Sequence, residues 1–368
     1  MLRILQVLPV AWACSYFEIP VPSKLGESYL IGRTMELSNL LGHTNYSIEV
    51  VAAVAGVKYG YVAPTNMFGL GPIQLKIPFE GMNEKGLTVS ALLFSESVFQ
   101  AAGITGKSDV SSLDLVAKLL ENCDSVDSAL SFLQSVSVVQ PQNPLLHGIT
   151  PGLHWAITDT TGRSVVVEYL NGQPVVSENN PRVMTNDPDI RWHWRNLNTY
   201  VNLNPGWPDQ NSFLGVETDE AVGTVPRAVG HGWNLFGLPG DFSPPSRFVR
   251  LFYLRGYALQ HAALKGLEDA IVLGTALLNN VFIPLGSVAK NPHQPGFDQA
   301  EYTPYAVLKS PHDRVMMIRG YRNTQWRKID LTRLTFSQDQ ALPLEDGNLG
   351  IQDITDAVNF EAKKNIRV

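Results

Sequence analysis

Cys14 follows Met-Leu-Arg-Ile-Leu-Gln-Val-Leu-Pro-Val-Ala-Trp-Ala, a run with one basic residue, an apolar centre and small residues at positions 11 and 13. These are features of a removable leader, although residues 1–13 fall short of the usual ~15–30 of a secretory signal. Cutting the Ala13–Cys14 bond would leave one residue carrying both a thiol and a free α-amine. The thiol is a strong nucleophile once ionised. The amine, with a reference pKa of about 7.7–8.0, can act as a general base near neutrality. Two plainer readings stand beside this one. A cysteine near a chain start is more often a small buried hydrophobe without chemistry, and residues 1–13 also read as an ordinary first core strand.

The rest of the composition narrows the field. The 368 residues are 44% hydrophobic and 17% charged, with no linker and no internal repeat, so a large core is expected. The formal charge of −6 is spread without a basic stripe, which argues against nucleic acid. Arg191-Trp192-His193-Trp194-Arg195 therefore reads as the start of an amphipathic helix. No apolar stretch reaches the ~18 residues needed to span a bilayer. Cys14 and Cys123 are the only cysteines, so a disulfide framework is excluded, and Cys123 is expected to be structural. With no His-Glu-x-x-His, Cys-x-x-Cys, Gly-x-Ser-x-Gly or phosphate loop, neither a metal nor a cofactor is expected.

The elements that must position these groups follow from patterning. Residues 14–20 and 29–35 predict a hairpin, with turn residues from Pro20 to Ser28. Arg33 and Glu36 end its second strand; for both to serve Cys14, the chain must bulge or turn between them. A second hairpin is predicted over 48–63, and an apolar loop over 64–79. Gly81-Met82-Asn83-Glu84-Lys85-Gly86-Leu87 reads as a turn before a strand at 88–94. Two core helices are predicted within 111–136, then strands at 154–159, 164–170 and 174–177. Asn186 sits where a strand ends, before Pro188. A Pro/Gly-rich loop leads into a helix capped by Ser246, with Arg247 in its first turn, against the dipole preference for acids there. Such a cation calls for a specific partner. A further helix around 267–278 and strands over 301–334 complete an α+β pattern.

These stretches together resemble one family. Cys14 after a leader, Gly32-Arg33-Thr34-Met35-Glu36, Gly81 to Leu87, Thr185-Asn186-Asp187-Pro188, Leu238-Pro239-Gly240-Asp241 with Ser246-Arg247-Phe248, and Gln325-Trp326-Arg327-Lys328 are similar, in order, to the choloylglycine hydrolase family. That family contains bile salt hydrolases and penicillin V acylases and belongs to the N-terminal nucleophile hydrolases. The resemblance implies an αββα sandwich of two antiparallel sheets between helical layers. It implies a leader at 1–13, one amidohydrolase domain at 14–342 and a C-terminal extension at 343–368. The implied activity is hydrolysis of a linear C–N amide in a small molecule with an apolar acyl part, without a cofactor.

By the same resemblance Cys14 attacks the carbonyl while its α-amine handles the proton. Arg33 favours the thiolate, and Glu36 holds the α-amine. The Asn83 backbone N–H and the Asn186 side chain form the oxyanion hole, and Arg247 completes the polar network. The resemblance also implies a homo-tetramer, whereas the leader itself points to a periplasmic or secreted location, with a cytoplasmic one as the alternative because the leader is short. The chain departs from the family in having Glu36 where aspartate is usual and Leu37 where an aromatic is common. An N-acyl amine or acyl-homoserine lactone acylase, or a non-catalytic binding protein of this fold, are the alternative functions.

Overall fold

The computed structural model describes residues 13–23, 26–36, 45–54, 56–68, 75–141, 151–206, 232–289, 300–345 and 347–352. Residues 1–12 of the expected leader, Leu37, 69–74 of the expected loop and 353–368 of the expected extension lie outside them.

The first hairpin sets the frame. Strands β1 (Cys14–Ser23) and β2 (Gly26–Met35) pair antiparallel, with Cys14 opposite Met35 and Tyr16 opposite Arg33. Side chains in a strand alternate between faces, and here both faces are covered. Tyr16 and Glu18 bond to Thr158 and Ser164 of a second sheet, whereas Ser15 and Ile19 face helices. Cys14 therefore opens toward the space between the sheets. Gly32 is required because the Phe17 ring lies over it; a Cβ there would come 2.3 Å from the ring. The strands run longer than the sequence predicts, through Pro20 and Pro22. Proline is tolerated there because the neighbouring strand pairs only with Tyr16 and Phe17, leaving the rest of β1 an edge.

After the hairpin come β3 (Asn45–Val51), β4 (Tyr61–Phe68), β5 (Leu75–Pro78), β6 (Glu80–Asn83) and β7 (Thr88–Leu93). The predicted loop over 64–79 is thus partly strand, with Met67 and Phe68 in β4 and Leu75 and Ile77 in β5. Next are β8 (Ser108–Ser111), α1 (Leu115–Asn122), α2 (Val126–Ser135) and β9 (Val136–Val139), then β10 (Leu153–Thr158), β11 (Ser164–Leu170), β12 (Gln173–Glu178) and β13 (Val183–Met184). The chain continues with α3 (Ile190–Asn196), α4 (Pro244–His261), α5 (Leu267–Val281), β14 (Tyr305–Ser310), β15 (Val315–Gly320), β16 (Arg327–Asp330) and β17 (Gln340–Pro343).

Among the described residues one sheet has the order β13-β1-β2-β14-β15-β16, and the other β12-β11-β10-β7-β6-β4-β3-β17, with β5 on β4. Both are antiparallel. Helices α4 and α5 pack on the first sheet, and α1 on β6 and β7 of the second, so the layers are αββα. Because β17 runs to Pro343 and Leu344 is buried, the expected domain end at 342 falls inside a strand.

Helix α4 begins earlier than the sequence predicts. Pro244 and Pro245 occupy its first positions and Ser243 is the N-cap residue, in place of Ser246. Proline's fixed φ suits the first turn, where its missing N–H has no partner to lose. No described helix is long and apolar enough to cross a membrane.

Candidate active site

Each polar atom of Cys14 is met by a different residue. Arg33 Nη2 lies 3.6 Å from Cys14 Sγ, and Met35 Sδ 4.0 Å from it. The Cys14 N–H donates to Asn186 Oδ1 at 2.8 Å. The Cys14 carbonyl accepts from Arg247 Nη1. Arg247 also donates to Asn186 Oδ1 at 2.7 Å, to Ser15 Oγ at 2.8 Å and, through Nε, to Phe242 O at 2.8 Å. Its placement against the helix dipole is thus offset by four acceptors. Cys14, Arg33, Asn186 and Arg247, from strands, a loop and a helix far apart in sequence, lie together around the sulfur and backbone of Cys14.

The Asn186 side chain has a defined orientation. Its Oδ1 faces two donors, and its Nδ2 donates to Leu93 O at 2.9 Å. One Nδ2 hydrogen has no acceptor among the described residues and is available to an oxyanion. Strand β7 presents a second donor. Ala91 N–H bonds to Phe79 O on one edge of β7, and Phe94 N–H to Gly152 O on the other. Period-two alternation puts the Leu93 N–H on the same edge as its own C=O, the edge that meets Asn186.

Asn83 is a correction. Its N–H donates to Leu87 O at 3.0 Å, and its Nδ2 donates to Leu120 O at 2.9 Å and Cys123 O at 2.7 Å. Its Oδ1 accepts from the Lys85 and Leu87 N–H groups. Every donor is spent on closing a turn and tying it to α1, so none is left for an oxyanion. The expected turn chemistry is present; the expected catalytic donor is not.

Glu36 follows the end of β2, which resolves the spacing problem with Arg33. Its carboxylate accepts from Thr303 Oγ1 at 2.6 Å and Thr34 Oγ1 at 3.1 Å rather than from the Cys14 nitrogen. Burial raises its pKa to about 7, opposed by Arg247 and by the two hydroxyls. Burial also pushes the Cys14 thiol up, with Arg33 as the largest opposing influence and the Glu36 backbone N–H a further one. Arg33 therefore does sit beside the sulfur, but burial outweighs it.

Several groups around the site were not singled out in the sequence. Arg33 is triangulated by Ala91 O at 3.0 Å, Tyr305 OH at 3.3 Å and Glu80 at 3.7 Å, and Glu80 in turn pairs with the buried Lys309. Glu80 and Lys309 had a signal, as charged residues within otherwise apolar strand patterns. Glu301, which accepts the Ala13 N–H, had none. Cys123 is buried, lies in no disulfide, and has its pKa raised to about 11 by burial. Among the described residues no cluster of His, Cys, Asp and Glu could hold a metal ion.

Two antiparallel sheets between helices, with a cysteine at the start of a central hairpin surrounded by two arginines and an asparagine, define an amidohydrolase. The chain belongs to the linear amide C–N hydrolases, choloylglycine hydrolase family, whose model matches residues 26–355. It is 33% identical over 273 residues to a bile salt hydrolase/transferase of Clostridium perfringens, covering 73% of this chain and 77% of that protein. It is 28% identical to a penicillin V acylase of Pectobacterium atrosepticum, over 68% of this chain and 60% of that one. A solved structure of a variant conjugated bile acid hydrolase from Clostridium perfringens superposes with TM-score 0.74 at 25% identity, over 93% of this chain and 100% of that chain. Penicillin V acylase from Agrobacterium tumefaciens shares the fold, with TM-score 0.63 at 20% identity over 92% and 93% of the two chains.

Proposed function

We propose that Cys14, once exposed as the N-terminal residue, hydrolyses a linear amide with its thiol as nucleophile and its own α-amine as general base. The observation that carries this reading is the division of labour around one residue: Arg33 at the sulfur, Asn186 at the nitrogen and Arg247 at the carbonyl. A structural cysteine needs no such reception.

The thiol proton passes to the amine, and the sulfur attacks the substrate carbonyl. The oxygen that becomes negative is received by the free Nδ2 hydrogen of Asn186 and the Leu93 N–H, fixed donors of the kind worth about 10²–10³ in rate each. The α-ammonium returns the proton to the leaving amine, giving a thioester on Cys14. Water then hydrolyses the thioester, with the α-amine as base. A bile-acid conjugate is favoured over a penicillin-type substrate, since the bile acid hydrolases are the more similar relatives in both sequence and structure.

Intact mass, a chain with one uncleavable residue before Cys14, and a hydrolysis screen over glycine and taurine conjugates, penicillin V and graded N-acyl amines test the reading together. The active species should begin at Cys14. Full activity in the blocked chain would remove the α-amine from the mechanism.

A further inference from the structure

The carboxamide of Asn186 is held by its side-chain bonds, but its backbone is held separately. The Asn186 carbonyl accepts from His193 Nε2 at 3.0 Å, and the preceding Thr185 carbonyl accepts from His154 Nε2 at 2.8 Å. Both imidazoles are buried, and both are stacked. His193 lies on Phe248, with ring centroids 4.6 Å apart and planes at 15°; His154 lies on Phe94, at 4.9 Å and 13°. Each stacking ring adjoins a residue that bonds the Asn186 side chain. Phe248 follows Arg247, which donates to Asn186 Oδ1, and Phe94 follows Leu93, which accepts from Asn186 Nδ2. Two dipeptides thus hold Asn186 twice each, once at its side chain and once, through a histidine, at its own or its neighbour's carbonyl.

We propose that His154 and His193 are positioning residues that lock the Thr185–Asn186 backbone and so aim the Asn186 amide at the carbonyl attacked by Cys14, a role that rests on the oxyanion assignment above.

The hydrogen-bond chemistry fixes the ring states. A carbonyl only accepts, so each Nε2 must carry a proton. His193 Nδ1 has no partner among the described residues, and burial lowers the His193 pKa to about 4, so the ring is neutral with its one N–H on Nε2. His154 Nδ1 faces Glu168 Oε1 at 3.2 Å, so a proton lies on one of those two atoms. The same Glu168 oxygen accepts from the Ile190 N–H at 2.9 Å, at the start of the helix that carries His193. The two histidine arms are therefore tied together, and neither ring can rotate without breaking a buried bond.

A donor misplaced by about 1 Å can cost on the order of 100-fold in rate. His193→Leu should therefore lower kcat by about 10- to 100-fold with KM little changed. His193→Gln, which keeps an N–H near the Nε2 position, should recover most of it. The deciding measurement is the same substitution in an Asn186→Ala background, where it should cost less than about threefold more, because residues acting through one unit are not additive. Multiplicative losses in the double variant, or an unchanged kcat in His193→Leu beside an impaired Asn186→Ala, would overturn the proposal. A wild-type kcat in Asn186→Ala alone would instead overturn the oxyanion role on which it rests. Should His193→Leu fail to fold, His154→Gln and His154→Leu in the same two backgrounds give the same decision.

Discussion

Arg247 and Asn186 share one oxygen with the nucleophile's own backbone: Asn186 Oδ1 accepts both Arg247 Nη2 and the Cys14 N–H. The carboxamide cannot turn over without placing its NH₂ against two donors. Its remaining hydrogen is therefore fixed in direction before any substrate arrives, which is what an oxyanion donor requires.

Asn186→Ala should lower kcat by about two orders of magnitude while leaving KM nearly unchanged, since the lost bond forms mainly in the transition state. Steady-state kinetics on the preferred amide checks this. A variant with wild-type kcat removes Asn186 from the chemistry.

Arg33→Met should make Cys14 alkylation by iodoacetamide slower at neutral pH and move its pH dependence upward. Burial already raises the thiol pKa, and Arg33 is the largest influence opposing it. An unshifted alkylation profile would show that the guanidinium 3.6 Å away does not act on the sulfur.

Glu36→Gln should have opposite effects on activity and stability. Activity should fall, because the carboxylate charge that acts on Arg247 beside Cys14 is lost. Stability follows from the sign of the shift. A buried acid whose pKa is raised to about 7 favours folding while protonated, in full below the unfolded value of about 4.3, and loses that contribution as pH rises through 7. Glutamine does not titrate. The variant should therefore gain relative to wild type between pH 5 and 8, by an amount on the order of 3 kcal/mol at most. Parallel melting-temperature curves across that range would refute the assignment, and Glu36→Asp serves as the charge-retaining control for activity.

Asn83→Ala should destabilise without touching kcat. The change removes bonds to the Leu120 and Cys123 carbonyls and to two turn N–H groups. A loss of about 2–4 kcal/mol is expected from leaving such buried groups unpaired. Chemical denaturation measures the stability, and kinetics below the transition measure the rate. A hundredfold fall in kcat in the folded variant would restore Asn83 to the oxyanion hole.

Much of the site was legible because its members sit in recognisable local contexts. Cys14 follows a leader-like run, Asn186 precedes Pro188, and Arg247 is a cation at the wrong end of a helix. The structure departs from the expected Asn83 role for a physical reason. A Gly-flanked asparagine carries the same sequence signal whether its donors close a turn or face a substrate, and only the positions of Leu87, Leu120 and Cys123 decide. Leu93 was invisible because it contributes backbone, and a leucine in a buried strand announces nothing. His154 and His193 gave no sign because their value lies in which carbonyl each ring reaches. In the fold, β4 from Pro64 onward and all of β5 read as loop in the sequence, because Pro64, Gly69, Gly71, Pro72 and Pro78 outweigh the alternation. Pro64 sits inside β4 and Pro78 ends β5, where the pairing strands tolerate them.

Strand β1 lies between β2 and β13, and the residues that receive Cys14 come from far along the chain: Asn186 is 172 positions downstream and Arg247 is 233. At ribosomal speeds of about 5–20 residues per second, on the order of ten to fifty seconds separate the synthesis of the cysteine from that of Arg247. For most of that interval a nascent chain has a thiol without Asn186 to meet its nitrogen, and for all of it without Arg247 to hold its carbonyl. Long-range pairing of this kind forms late and slowly. Translation order thus acts as a timer, delaying assembly of the reactive centre until at least two thirds of the chain exists.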